Sequence, residues 1–156
     1  MAKLKKQKSK STLIKKKLLT SKELSLLPNH KQIRFAIFCA NQVIHLVPTE
    51  HKEVCLKAIG CAELYLVGKA SKEECRAAAS AADDAANVAD AADAAANAAY
   101  SAAAYTANAA ANAAYYAVYA NPSKERQAVI NAQYYLYDQL LNEDRIFEEI
   151  VLKGVV

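Results

Sequence analysis

Between Ala77 and Asn121 the chain is alanine at 26 of 45 positions, with neither Gly nor Pro. Alanine loses no side-chain entropy on entering a helix, so helix is the expected state of the whole stretch. The other residues carry the geometric information. At roughly 100° per residue, Ser80, Asp83, Asn87, Asp90, Asn97, Ser101, Tyr105, Asn108, Asn112, Tyr115 and Tyr119 gather on one side, and the opposite third of the cylinder is alanine alone. This phase never resets, which favours one continuous helix over a hairpin. Such a rod would run about 67 Å, against a radius of gyration of about 15 Å for a compact chain of this length. Either the molecule is elongated, or the helix bends or breaks between Asn97 and Asn108. A bare methyl face buries little area per residue and must be covered by closely approaching backbones. The expected fold is all-α, a small helical bundle organised on one long alanine-rich helix over about 72–120. No stretch alternates with period two, so no sheet is expected.

The outward stripe changes character along its length. It begins acidic (Asp83, Asp84, Asp90, Asp93), becomes amide (Asn97, Asn108, Asn112) and ends aromatic (Tyr105, Tyr115, Tyr116, Tyr119). Tyrosine offers rigid amphipathic area at low entropic cost and is enriched in interface cores. Asp90, Asn97, Tyr105, Asn108, Tyr115 and Tyr119 are therefore the candidate partner-binding residues. The competing reading is that the rings cover neighbouring helices and leave their hydroxyls in water.

The net charge of +4 conceals an asymmetry. Residues 1–34 hold ten Lys and Arg34 against Glu23 alone, a net +10, which leaves −6 for the remainder. Residues 1–17 have few large apolar side chains and read as a basic, disordered arm ahead of a single all-helical domain at 18–156. The arm suits nonspecific contact with nucleic acid or anionic surfaces, or plain solvation; no aromatic residue is interleaved for base stacking. No apolar run approaches the length of a membrane span, and no signal peptide is recognisable, so a cytoplasmic location without membrane contact is expected. Cys39, Cys55, Cys61 and Cys75 form no C-x-x-C pair and read as small buried hydrophobes. His51 and Cys55 share a helical spacing, but two ligands do not make a metal site, and no metal or cofactor is expected.

Local signals place the other helices. Thr20 or Ser21 with Glu23 starts a short helix before Pro28, and Ile33, Ile37, Ala40, Ile44 and Val47 mark a helix from about residue 29 to 47 that is apolar on most faces. It is the expected buried centre, with Arg34 and His45 its polar exceptions and possible ligand-binding residues. Thr49 is expected to cap the next helix, over 50–67, which ends at a left-handed Gly68. Ser71 and Glu74 form a capping box that opens the alanine tract. Asn121-Pro122 is expected to close that tract and start a helix over 123–141 with Val129, Ala132, Leu136 and Leu140 inward. A break at Asn142 would precede a last short helix at 145–152.

The chain lacks a Gly-rich phosphate loop and any nucleophile–base frame. The order of features then becomes recognisable. Arg34-Phe-Ala-Ile-Phe-Cys-Ala-Asn-Gln-Val-Ile-His45-Leu, a helix ending in Gly68-Lys-Ala, and Ser71-Lys-Glu-Glu74 leading into an alanine tract together resemble an alanine-rich family of bacterial and phage immunity proteins of polymorphic toxin systems, the fifth-numbered Imm class. The similarity covers roughly residues 30–141. It departs from the family in using tyrosine where tryptophan is usual within the repeat, and the lysine arm lies outside it. The resemblance implies an all-helical, non-catalytic protein that neutralises a toxin or defence effector by stoichiometric binding. Two alternatives stay open: sequestration of a nucleotide signal through Arg34, His45 and the tyrosines, and nucleic-acid binding through the arm. A second copy of the chain is a further candidate for covering the methyl face, which would make a homodimer.

Overall fold

The computed structural model describes residues 16–86, 90–104 and 107–152. Among them are seven α-helices and no strand: α1 (Ser21–Leu24), α2 (Asn29–Val43), α3 (Thr49–Leu66), α4 (Lys72–Ala86), α5 (Asp90–Ala104), α6 (Ala107–Ala120) and α7 (Arg126–Leu152). The protein is an all-α bundle. A one-turn 3₁₀ helix, Ile44–Leu46, continues α2.

The alanine tract is not one rod. It supplies α4, α5 and α6, and each packs along the next. Helices joined across only three residues (87–89) or two (105–106) and packed side by side must run antiparallel. The physical reason lies in the methyl face itself. A rod of about 67 Å would leave most of its alanines in water, whereas folding in thirds lets small side chains cover one another with backbones close together. Ala79 and Ala82 of α4, Ala94, Ala95, Ala96, Ala98 and Ala99 of α5, and Ala110, Ala113, Ala114 and Ala117 of α6 are all buried. The unbroken phase of the sequence does not reveal the folding, because each helix needs its own outward face and the three faces continue one count.

The centre of the bundle is shared. Helix α5 packs against α2, α3, α4 and α6. Three consecutive alanines, Ala94 to Ala96, are fully buried, an arc no single neighbour could cover. Helix α2 supplies the volume that alanine lacks, burying Ile33, Phe35, Ile37, Cys39 and Val43. One cluster of buried side chains runs from Leu19 to Leu140.

Several local signals hold. Thr20 and Glu23 make a reciprocal capping box, with the Thr20 N–H donating to Glu23 Oε2 at 2.8 Å and the Glu23 N–H to Thr20 Oγ1 at 3.3 Å. Ser71 and Glu74 do the same at 2.7 and 3.2 Å. Gly68, at φ +70°, closes α3: its N–H reaches the Tyr65 carbonyl at 3.0 Å, and the Lys69 N–H reaches Leu64 at 2.8 Å. This is the Schellman arrangement, which a side chain at Gly68 would strain.

Other expectations fail. Thr49 is the first residue of α3 rather than its cap; Pro48 holds the cap position, without a side-chain hydrogen bond. Asn121 turns back, donating to the Ala117 carbonyl at 2.8 Å, so it closes α6 instead of starting α7. Pro122 opens a turn, and α7 begins only at Arg126. No break occurs at Asn142, whose amide donates to the Asp138 carbonyl within a continuous α7. Leu140 lies inward as expected, but the rest of the α7 seam sits one residue beyond its expected place, on Ile130, Gln133 and Tyr137, while Val129, Ala132 and Leu136 are half-buried.

Candidate functional site

Antiparallel stacking brings the end of α4, the start of α5 and the end of α6 to one end of the bundle. There the tyrosines of α6 meet the carboxylates of the other two helices. Tyr115 and Tyr119 lie one turn apart and stack, with ring centroids 4.4 Å apart and planes tilted by 32°. Tyr116 sets its edge against Tyr115 at 5.3 Å and 88°. Both stacked rings stay open to solvent, at 45% and 39% exposure. The Arg126 guanidinium lies 4.7 Å from the Tyr119 ring centre and donates to the Asn121 and Tyr119 carbonyls at 3.1 and 3.4 Å. It thus fixes the last ring of the ladder while neutralising the carbonyl end of α6.

Asp83, Asp90 and Asp93 complete the surface. Partial burial, then the charges of Asp83 and Asp90, raise the Asp93 carboxyl above its usual range. The same three carboxylates act on Tyr116, whose hydroxyl is raised first by Asp93 and then by burial. Asp90 and Asp93 sit in the first turn of α5, where the helix dipole favours negative charge. Asp83, close to the carbonyl end of α4, lacks that benefit. The result is a crowded negative patch beside three clustered aromatic rings.

The six residues nominated from the sequence do not form one line. Asp90 is exposed at the start of α5, where its charge acts on Tyr116. Asn97 lies mid-helix, half-buried, its amide donating to the Asp93 carbonyl at 2.8 Å. Asn108 is exposed at the start of α6, the opposite end of that helix. Tyr105 lies outside the described residues. A stripe drawn on a straight helix is dispersed once the helix folds back on itself, and Asp83, Asp93, Tyr116 and Arg126 replace the lost members. Asp93 and Tyr116 flanked the stripe in the sequence. Arg126 carried no signal, because its place depends on how α7 leaves α6.

Arg34 and His45 do not converge. They lie about 16 Å apart along the axis of α2 and its extension. Both terminal nitrogens of Arg34 grip Glu143 of α7, at 2.8 and 3.0 Å. One turn away Lys31, only 2% exposed, donates from Nζ to the Leu140 carbonyl at 2.7 Å and stands 3.7 Å from Glu143. These groups clamp α2 to α7. The sequence hid the buried lysine, since its stem lies along apolar neighbours and only its tip seeks oxygen.

Open cavities flank the clamp and the first helix. One, of about 430 Å³, is lined by Arg34, Ile37, Phe38, Asn41, Glu63 and Leu66 among others. A larger one, of about 740 Å³, collects Lys16, Lys17, Lys22, Glu23, Leu26 and Tyr134, with Lys16 Nζ 4.5 Å from the Tyr134 ring centre. Among the described residues, no three His, Cys, Asp or Glu side chains gather so as to hold a metal ion, and no helix is long and apolar enough to cross a membrane. Of the arm expected at residues 1–17, residues 1–15 lie outside the described residues. Comparisons with protein-family models, curated proteins and solved structures each return no match.

Proposed function

We propose that the chain is a non-catalytic binding protein that neutralises a protein partner, a toxin or a defence effector, by stoichiometric association through the Tyr115–Tyr116–Tyr119 face and its flanking carboxylates. The observation that carries this reading is the stacked and exposed tyrosine ladder beside Asp83, Asp90 and Asp93. A soluble monomer gains little by leaving such rings open. A partner that buries them gains apolar area from side chains already held in place. The negative rim selects a basic partner face and speeds encounter at low salt. The resemblance to the immunity family supports the same reading from the sequence side. Co-purification of partner proteins on the full chain, followed by titration, tests it. Replacing Tyr115 and Tyr119 together by alanine should weaken binding by at least tenfold with helicity unchanged. Undiminished affinity in that double variant removes the ladder from the interface.

A second reading rests on a different surface. Lys16, Lys17 and Lys22 around Tyr134 suit a ligand with a phosphate and a flat ring, such as a nucleotide. A nucleotide held there raises the melting temperature by linkage, which a thermal-shift screen reads directly. Lys16→Glu should abolish that rise and leave protein binding through the tyrosines intact.

A further inference from the structure

Cys61 and Cys75 are fourteen positions apart, on α3 and α4. The left-handed turn at Gly68 and the Ser71–Glu74 box reverse the chain between them and lay the two helices side by side. Their sulfurs come to 3.0 Å, and the Cys75 thiol also faces the Cys61 carbonyl at 3.3 Å. Cys75 is buried, whereas Cys61 is only partly covered. An accessible thiol in contact with a protected one is the arrangement that two-electron oxidation turns into a bridge.

We infer that Cys61 and Cys75 form an oxidative modification site, at which a peroxide converts the two thiols into a reversible disulfide clip between α3 and α4. Cys61, the accessible partner, reacts first. Its sulfur attacks the peroxide, an S–O bond forms as the O–O bond breaks, and the thiol proton leaves with the departing hydroxide as water. The Cys61 sulfur has then lost two electrons to the peroxide and is a sulfenic acid. The Cys75 sulfur next attacks it. An S–S bond forms, the S–O bond breaks, and the Cys75 proton and the hydroxide leave as a second water. Two thiols and one hydrogen peroxide thus give one disulfide and two waters.

The environment assigns these roles. Burial, then hydrogen bonding to Cys61, pushes the Cys75 thiol up to about 12 while Cys61 is reduced, so Cys61 meets the oxidant first. Oxidation of Cys61 removes its part of that effect, and the Cys75 proton passes to the leaving oxygen as the S–S bond forms. Its contact with Cys61 supplies the reaction partner before a second peroxide can carry Cys61 to the sulfinic acid. The clip closes a short loop containing the Gly68 turn, which restricts the unfolded chain and holds the α3–α4 corner that supports α5.

The test uses the full-length chain in hydrogen peroxide under native conditions, with free thiols then alkylated in denaturant and peptides mapped without reductant. The expected product is a single bridge between Cys61 and Cys75, lighter by two hydrogens. The melting temperature should rise by roughly 5 °C or more, and dithiothreitol should reverse both changes. Cys61→Ser and Cys75→Ser should each abolish the bridge, while Cys39→Ser keeps it. Because the map is read on the unaltered protein, a poorly folding variant does not obscure the result. Sulfinic acid at Cys61 without a bridge, a bridge to Cys39 or Cys55, or four unreacted thiols would each overturn the assignment. A bridge that leaves the melting temperature unchanged overturns the stabilising clip.

Discussion

Lys31 shows how a single side chain can set a helix pair. Its ammonium is enclosed between α2 and α7, with the Leu140 carbonyl and the Glu143 carboxylate as partners. Truncation to alanine removes a buried stem and leaves that carbonyl without its donor. Lys31→Ala should therefore cost about 2–4 kcal/mol in urea unfolding, and Lys31→Met, which keeps the volume, distinctly less. Asp93 behaves in the opposite sense. Its folded carboxyl is raised by burial and by Asp83 and Asp90, so the folded state holds its proton more tightly than the unfolded state does. That contribution is present at low pH and is lost as pH rises from the ordinary value of 3.8 through the raised one. At neutral pH Asp93→Asn should stabilise the fold and flatten this part of the pH–stability curve, while weakening capture of the proposed basic partner. A variant more stable yet poorer in binding would mark the carboxylate as retained for recognition.

Among the elements, α5 is the unusual one. Its core contacts are methyl groups, so close approach of backbones replaces large side chains as the source of packing. Little room remains for a larger residue. Ala98→Leu should destabilise by roughly 1–3 kcal/mol through overpacking. Ala77→Leu, at an exposed position of α4, should stay within about 0.5 kcal/mol; thermal melts of the two variants compare them directly. Gly68→Ala should cost about 1 kcal/mol, because the α3 terminus requires a left-handed backbone there. The clearest elements in the sequence were those defined by local rules, such as the two capping boxes and the Gly68 terminus. Asn121 illustrates the limit of such rules. Its amide can cap the helix behind it or start the one ahead, and the choice falls to Ala117 because α7 begins several residues later.

On the scale of the whole molecule, the inner position of α5 predicts a gradient of local stability. Amide exchange should be slowest at residues 94–99, approaching the rate set by global unfolding, and faster along exposed α7 positions such as Tyr135. Uniform exchange across the bundle would contradict an alanine-centred core. The helical class, the inward methyl face and the one-turn spacing of Tyr115 and Tyr119 were determined by the sequence alone, whereas the openness of that pair was not. Helix propensity and periodicity act within a few turns and need no knowledge of neighbours. Tertiary structure decided that the alanine tract folds into three antiparallel helices and that Asp83 and Asp93 join Tyr116 at one end. It also decided that Lys31 lies buried and that Cys61 meets Cys75. The physical reason is that these arrangements depend on how closely separate backbones approach, and a face of methyl groups accepts many such approaches without encoding which one.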